Sequence, residues 1–442
     1  MKRFIIRSAR KTAHIGTKVL QKSLSLTTKV EDKATRILSG TDYSFKTDET
    51  MPFEKIYYNT IPCVIPINPA LPAVGSEPNV TLLLPSLDGK SFYGGTATAL
   101  VIAGRIAQLK KRKLRIVQTL KTGHASQLSD FFKREGLDIP EENIKVISVA
   151  DRAYNVYGYI SMHPEDIFIA SAWWDAKLIS QLPLIHKFIY LIQDFEPIFY
   201  NNSDQYVLAE STYENDTFIP LCNTQLMAEF MKAKKYPSFT GKSPVFFFEP
   251  AVSRTANGYA TKKQSGEKKR LFLYGRPNVH RNLFFTALQS IDAVFQTESL
   301  DKNDWEIYMA GQDNLPDIAL PSGVKVVNLG KMSMEDYIAF SKSVDVAVSP
   351  MMAPHPNYPT LEFASIGTAV VTTKYENKIS LANYSKNILT VKASVDEMTK
   401  AIVQAAKMPY DQRIENAKQS AISTNWQDST DAVIKDVLKA IK

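Results

Sequence analysis

Two arginines five positions apart, Arg276 and Arg281, are the clearest candidates for chemistry in this sequence. They follow an apolar run, residues 271–274, that is typical of a strand leading into a loop and a helix. They are therefore expected at the carboxyl edge of a sheet, where ligands of parallel α/β folds bind. A guanidinium stays charged and offers a planar fork of N–H donors, so the pair could clamp a diphosphate. The alternative is two surface cations in salt bridges.

Residues 344–373 predict a second part of the same site. Their pattern is an apolar strand, a proline-rich loop at 351–359, a short helix and a second apolar strand at 369–373. The loop is expected at the sheet edge that holds the arginines. The helix after it would direct unpaired backbone N–H groups at a phosphate. Glu362, predicted in the first turn of that helix, could accept hydrogen bonds from two sugar hydroxyls.

Polar residues after the apolar strand 187–192 are candidates for catalysis. Gln193, Asp194 and Glu196 follow this strand at the expected ligand edge. A carboxylate there could orient a hydroxyl or stabilise positive charge on an oxocarbenium-like anomeric carbon. The alternative is that Asp194 caps the following turn and Glu196 forms a salt bridge.

Glycines mark further turns at the same edge. Gly94 and Gly95 stand where the first loop enters the first helix, and glycine there permits close approach of the backbone to a pyrophosphate or sugar. An ordinary flexible turn is the alternative. The turns at Gly311 and Lys331 are expected to bracket a nucleobase through backbone groups.

The elements that position these residues predict an α/β protein with two Rossmann-like domains. The chain has 442 residues, 44% of them hydrophobic, which is enough for two cores. In the first half, strands are predicted at 80–84, 114–120, 144–149, 166–170 and 187–192, with helices at 96–111 and 125–136. In the second half, strands are predicted at 271–274, 305–310, 324–329 and 369–373, with helices ending near 295 and at 334–341. The predicted organisation is a basic arm at 1–40, a first domain at 41–250, a linker at 251–270 and a second domain at 271–442.

The net charge of +8 lies in the arm alone, because residues 1–40 hold ten Lys/Arg and two Asp/Glu. Nucleic acid is therefore not an expected partner of the body. The arm also contains apolar residues, so it could lie on an anionic membrane surface; the alternative is a solvated tail or a helix packed on the body. No apolar run is long enough for a membrane span, and no secretory signal is recognised.

Cysteine and acidic patterns limit the other options. Cys63 and Cys222 belong to no metal-binding pattern, which favours a reducing, cytosolic compartment. No Asp-x-Asp triplet occurs in the chain. A Mg²⁺-bridged diphosphate is therefore not required, and no metal site or cofactor is expected.

Taken together, the Gly94-Gly95 loop, the GRPxxxR segment at 275–281 and the Glu362 helix resemble the GT-B glycosyltransferases that use nucleotide sugars. More narrowly, YLIQDFEPIFY at 190–200 and PHPNYPTLEFA at 354–364 resemble rhamnosyltransferases of rhamnan and S-layer glycan assembly. The resemblance covers most of residues 79–420. It also implies a last helix, 429–441, that crosses back onto the first domain.

The resemblance assigns roles to several residues. Arg276 matches a phosphate-binding arginine, and Arg281 stands where a lysine is more usual. Glu362 matches the second glutamate of an E-x7-E signature, which holds the nucleotide ribose. The first glutamate is replaced by Pro354, so sugar recognition must differ, with His355 or Asn357 as the substitute. The loop at 171–174 lacks the histidine that relatives often carry there.

The implied function is metal-independent, retaining transfer of L-rhamnose from dTDP-L-rhamnose to a growing cell-surface glycan or lipid-linked oligosaccharide at the cytoplasmic membrane face. A 6-deoxy sugar favours apolar walls, for which Trp173, Trp174, Phe195 and Tyr358 are candidates, with the protein core as the alternative location. The competing interpretations are a nucleotide-sugar epimerase of the same fold and a non-catalytic glycan-assembly or nucleic-acid-binding protein. The predicted catalytic residues are Asp194, Glu196, Arg276 and Arg281; the donor-binding residues are Gly94, Gly95, Arg276, Arg281, Gly311, Lys331, His355, Asn357, Tyr358 and Glu362; the acceptor-binding residues are Gln193, Trp173 and Trp174.

Overall fold

The computed structural model describes residues 50–87, 94–123, 128–155, 158–241, 244–252 and 258–441. Two compact units are present, residues 1–65 and 66–442. The described part of the first unit holds helix α1, Phe53–Thr60, and a 3-10 turn, Pro62–Val64. The predicted basic arm at 1–40 lies outside the described residues. Within the described ranges, no helix combines the length and apolarity that crossing a membrane requires.

The second unit contains two seven-stranded sheets, and the first is entirely parallel. Its strands, in spatial order, are β4, β3, β2, β6, β7, β8 and β9. In chain order their bounds are β2 Asn79–Leu84, β3 Lys113–Gln118, β4 Ile144–Ser148, β6 Ile167–Ala170, β7 Phe188–Ile192, β8 Phe218–Asn223 and β9 Phe246–Phe248. A separate parallel pair joins β1, Asn68–Ala70, to β5, Tyr159–Ser161.

Helices cover both faces of this sheet, which explains why its strands are apolar on both sides. Leu82 and Leu84 pack in one core and Leu83 in the other, as the two-residue period of a strand dictates. The helices are α2 Gly94–Lys110, α3 Leu128–Arg134, α4 Trp173–Ser180, α5 Asp204–Ser211, α6 Gln225–Lys234 and α7 Pro237–Thr240.

The second sheet has the order β12, β13, β11, β10, β14, β15 and β16, parallel except for the edge strand β12. The strands are β10 Lys269–Tyr274, β11 Trp305–Ala310, β12 Ile318–Ala319, β13 Lys325–Asn328, β14 Val346–Val348, β15 Ala369–Thr373 and β16 Ile388–Val391. The helices are α8 Phe284–Gln296, α9 Met334–Ser341, α10 Tyr358–Ser365, α11 Val395–Lys407, α12 Tyr410–Lys418 and α13 Trp426–Ala440. The predicted α/β class is confirmed.

The last helix, α13, packs against the first sheet rather than the second. Ile434 and Val437 belong to the core cluster of strands β2 and β3. The indole Nε1 of Trp426 donates to the Glu135 carboxylate at 3.1 Å. Arg105 on α2 pairs with Asp431 at 2.5 Å. The chain therefore crosses between the sheets twice, once through residues 249–268 and once before α13.

Several boundaries differ from the sequence-based expectations. Strands β8, β9 and β16 were not expected. Part of the helix expected at 125–136 lies outside the described residues, and the described helix is Leu128–Arg134. The second sheet begins at Lys269, inside the segment expected to be a linker.

Candidate functional site

A cleft of about 560 Å³ lies between the two sheets, at the carboxyl ends of their strands. Every predicted site residue except Trp173 and the candidate wall residue Phe195 lines it. From the first sheet these residues are Gly94, Gly95, Trp174, Gln193, Asp194 and Glu196; from the second they are Arg276, Arg281, Gly311, Lys331, His355, Asn357, Tyr358 and Glu362. The structure therefore brings chain segments about 270 residues apart to one cleft.

Trp173 and Phe195 were expected to form apolar walls of the sugar pocket, and the structure places both side chains elsewhere. Trp173 is fully buried, and its indole N–H donates to the Tyr200 hydroxyl at 2.9 Å. Phe195 packs on Phe230 in the core below strand β7. Both side chains fill space beneath the sheet edge, so neither touches a ligand in the cleft. Trp174, the next residue after Trp173, does line the cleft.

An ion pair joins the two halves of the cleft. Arg281 Nε, in the loop after β10, lies 3.2 Å from Oδ2 of Asp194, which follows β7. The Arg281 guanidinium also lies 4.1 Å from the centre of the Phe199 ring. Burial raises the pKa of Asp194, and the nearby Arg281 opposes that rise. Burial likewise lowers the pKa of Arg281. Asp194 opposes this decrease, and Arg276 adds to it. Two cations therefore stand close together with one carboxylate as counter-charge.

Arg276 is the more accessible of the two cations. It is partly exposed, and its Nη1 donates to the Tyr274 hydroxyl at 3.2 Å. Gly311 makes room for it. At φ +126° this glycine has a backbone conformation that side chains rarely adopt, and a Cβ there would lie 2.9 Å from Arg276 Cγ. The Gly311 turn therefore makes room for the Arg276 side chain, and its predicted role in bracketing a nucleobase stays a prediction.

Glu196 has an environment that suits a neutral carboxyl group. Its Oε2 accepts the backbone N–H of Trp173 at 2.8 Å, at the start of α4, and the Tyr190 hydroxyl lies 3.1 Å from Oε1. Burial raises the pKa of Glu196 to about 8. The side chain is therefore mostly protonated at neutral pH, which argues against both the expected anionic role and the expected salt bridge.

His355 presents a hydrogen-bond donor to the cleft. Its Nδ1 accepts the backbone N–H of Asn357 at 2.9 Å. Burial, together with Lys378 and Arg281, lowers the pKa of His355 to about 3, so the ring is neutral. With Nδ1 accepting, the proton of the neutral ring sits on Nε2. That buried Nε2 has no hydrogen-bond partner among the described residues, and neither has Trp174 Nε1. Both are available to a ligand.

Helix α10 projects the remaining donor-side residues. Glu362 lies in its second turn rather than the first, and its Oε2 accepts from the Tyr337 hydroxyl at 2.9 Å. The Tyr358 hydroxyl lies 2.5 Å from Thr98 Oγ1 on α2 and accepts from Asn223 Nδ2 at 3.0 Å. Tyr358 therefore connects α10 to the opposite domain in addition to lining the cleft.

Two predicted polar residues differ in accessibility. Gln193 Nε2 donates to the backbone oxygen of Gly95 at 2.9 Å, which ties the first turn of α2 to the end of β7. Lys331 is exposed at the cleft, and its backbone N–H donates to Asp313. The first loop itself, between Leu87 and Gly94, lies outside the described residues.

The site residues that were not anticipated include Phe199, Tyr274 and Tyr337, which line the cleft, and Lys378, which contacts two residues of its lining. Tyr274 and Lys378 lie at or after the carboxyl ends of strands, which is the signal that could have found them. Phe199 and Tyr337 are placed by tertiary packing and have no local signal. In the described part of the chain, no group of three or more His, Cys, Asp or Glu side chains could hold a metal ion.

The fold is of the GT-B type, with two Rossmann-like sheets facing one cleft. Among solved structures, an α,α-trehalose-phosphate synthase of Burkholderia xenovorans matches with a TM-score of 0.54 and 10% identity, over 82% of this chain and all of the other. TarM of S. aureus matches with a TM-score of 0.55 and 9% identity, over 83% of this chain and 100% of the other. At these identities the likeness concerns the fold.

The family is defined by sequence. Residues 79–225 match the model described as the WsaF N-terminal domain, and residues 269–403 match the WsaF C-terminal domain. Together these matches cover well over half of the chain, which therefore belongs to the WsaF family. The O-antigen biosynthesis protein RfbC of Myxococcus xanthus is 28% identical over 275 residues, 62% of this chain. The match spans only 21% of that relative's length.

Proposed function

We propose that this protein transfers L-rhamnose from dTDP-L-rhamnose to a growing cell-surface glycan, with retention at the anomeric carbon and without a metal ion. The observation that supports it most is the convergence of Arg276, Arg281 and the start of helix α10 on one cleft. These groups suit a diphosphate, because they supply fixed positive charge and N–H donors. Glu362, held by Tyr337, is placed to accept hydrogen bonds from the ribose.

The proposed reaction needs charge stabilisation more than proton transfer from the protein. The bond between the anomeric carbon and the diphosphate oxygen breaks, and the acceptor hydroxyl oxygen bonds to the same face of that carbon. The hydroxyl proton passes to the departing diphosphate. Arg276 and Arg281 stabilise the negative charge that develops there, in place of a metal ion. Asp194, which lines the cleft beside Arg281, is the carboxylate proposed to stabilise the positive charge that develops on the sugar.

The donor sugar is inferred from the residues of the cleft and from the resemblance to rhamnosyltransferases. The acceptor is inferred from the similarity to a relative. A 6-deoxy sugar gains from apolar walls, and Trp174 and Tyr358 line the cleft. The resemblance of residues 190–200 and 354–364 to rhamnosyltransferases supports rhamnose. The similarity to RfbC, an O-antigen biosynthesis protein, supports a surface polysaccharide as product. The basic residues of segment 1–40 are proposed to bring the enzyme to a lipid-linked acceptor at the cytoplasmic face of the membrane.

Calorimetric titration tests the nucleotide site. Solutions of dTDP, UDP and GDP are titrated without added metal into the protein, into Arg276→Ala and into Arg134→Ala, a control on α3 outside the cleft. The proposal expects dTDP to bind, and Arg276→Ala to weaken binding by about 2 kcal/mol or more, because a charge-assisted contact is lost. The control should bind as the unsubstituted protein does. Absence of binding by every nucleotide would refute the transferase.

Turnover separates transfer from the alternatives. With dTDP-L-rhamnose and a glycan acceptor, the proposal expects dTDP release together with an acceptor extended by one rhamnose. A nucleotide-sugar epimerase would instead convert the donor in the absence of acceptor. A non-catalytic protein would bind without turnover.

A further inference from the structure

Lys378 is a fully buried lysine in the loop after strand β15. Its Nζ donates to the backbone oxygen of Met351 at 2.9 Å and to that of His355 at 3.2 Å. Burial lowers the pKa of Lys378 to about 7, and the nearby Asp194 opposes this decrease. Keeping a lysine in such a place costs free energy, so its two carbonyl contacts are expected to have a specific use.

Those two carbonyls belong to the first and last residues of segment 351–355. Both residues line the cleft. Met351 is fixed again by its backbone N–H, which donates to Thr373 Oγ1 at 2.9 Å. At the other end, His355 lines the cleft, its Nδ1 accepts from the Asn357 backbone, and its buried Nε2 has no partner among the described residues. The ammonium of Lys378 therefore joins the two ends of segment 351–355 and fixes the backbone of His355.

The turn that contains Lys378 is itself anchored on the opposite domain. Asn377 Nδ2 donates to the backbone oxygen of Leu226 on α6 at 2.8 Å, and the Tyr375 ring lies 6.3 Å from that of Phe230. The backbone of Lys378 is thus held in place, and so are the two carbonyl oxygens that accept from its Nζ. Its position depends on both halves of the molecule.

We propose that Lys378 is a positioning residue that holds segment 351–355 so that the Nε2–H of His355 donates to the nucleotide-sugar donor. This inference rests on the proposed function, since it concerns the same cleft. It assigns no contact between Lys378 and the ligand. The effect of Lys378 must therefore pass through His355.

A double-mutant cycle tests that dependence. Titrations with dTDP-L-rhamnose compare the unsubstituted protein, Lys378→Met, His355→Ala and the double variant. Lys400→Met is the matched control, because Lys400 is exposed on α11 and pairs only with neighbours on its own helix among the described residues. Thermal unfolding of each variant checks that it is folded at the assay temperature.

The expected result is strong coupling. Lys378→Met should weaken binding about tenfold in the unsubstituted background and less than about twofold when His355 is already alanine. Lys400→Met should leave binding unchanged. If Lys378→Met does not fold, Lys378→Gln, a neutral side chain that keeps two N–H donors, enters the same cycle with an expected loss of about threefold.

Two results would overturn the inference alone: an equal loss in both backgrounds, which would indicate a general structural role, or no loss in either. Failure of the unsubstituted protein to bind any nucleotide would overturn the proposed function and this inference with it.

Discussion

Replacing Glu196 by glutamine should change how the stability of this protein depends on pH. Glutamine is the neutral counterpart of the protonated acid. Its amide oxygen can accept from the Trp173 backbone N–H, and its amide N–H can donate to the Tyr190 hydroxyl, so both contacts of Glu196 can be kept. The substitution therefore removes the titration and leaves the packing in place.

The size of the effect follows from the shift in pKa. The pKa of Glu196 is about 8 in the folded protein and 4.5 in the reference state. The folded state thus binds a proton that the unfolded state has lost, so the contribution of Glu196 is fully present below pH 4.5 and declines as pH rises through 8. Between pH 5 and 7 the loss is about 2–3 kcal/mol, and between pH 7 and 9 it is about 1 kcal/mol more. Glu196→Gln should lack both losses.

Urea denaturation, followed by tryptophan fluorescence at pH 5, 7 and 9, measures this difference. Asp175, with a pKa raised by burial to about 7, adds a pH dependence of its own to both proteins, so the comparison between them isolates Glu196. Glu142→Gln, at an exposed position, is the control and should follow the unsubstituted protein. Parallel pH profiles for Glu196→Gln and the unsubstituted protein would refute the assignment of a neutral, buried acid at this position.

Three further substitutions test the cleft. Arg281→Lys keeps the charge but loses the planar group that lies 4.1 Å from an aromatic ring centre, so affinity for dTDP should fall about tenfold in calorimetry, and unchanged affinity would contradict a guanidinium-specific role. Tyr358→Phe removes the hydroxyl that contacts Thr98 and Asn223 on the opposite domain and should lower the free energy of unfolding by about 1–2 kcal/mol in urea; no change would mean that this contact adds nothing to stability. Gly311→Ala forces a strained φ of +126° and displaces Arg276, and should weaken dTDP binding about tenfold. Gly266→Ala, also at positive φ but with no described atom within 4 Å of its Cβ, is its control and should bind normally.

The second sheet was largely predictable because its strands are continuous apolar runs that end at glycines or polar turns. The strands Trp305–Ala310 and Ala369–Thr373 and the helix Met334–Ser341 begin and end where the sequence indicated. Parallel strands buried on both faces need such runs, and their carboxyl ends meet at one edge. This rule alone predicts that most of the site residues lie near one another.

The missed elements have physical reasons. Strand Phe218–Asn223 contains Pro220, which cannot donate to a ladder and argues against a central strand, yet it pairs with β7 on one side and β9 on the other. Strand Phe246–Phe248 has only three residues, too few for a periodic signal. Lys378 was overlooked because lysine is rarely buried, and nothing local shows that two carbonyls enclose its ammonium.

The sequence left open whether His355 or Asn357 replaces the glutamate that is absent at Pro354, and the contacts distinguish them. Asn357 adopts φ +77°, and its Nδ2 donates to Ser349 Oγ at 2.9 Å, so its side chain helps to turn the chain into helix α10. His355 uses Nδ1 within its own loop and leaves a buried Nε2–H facing the cleft. A glutamate at this place would accept hydrogen bonds from sugar hydroxyls, whereas a neutral imidazole with this tautomer donates one. On the proposed function, the substitution reverses the direction of the hydrogen bond, and the ligand group that faces His355 is expected to be an acceptor.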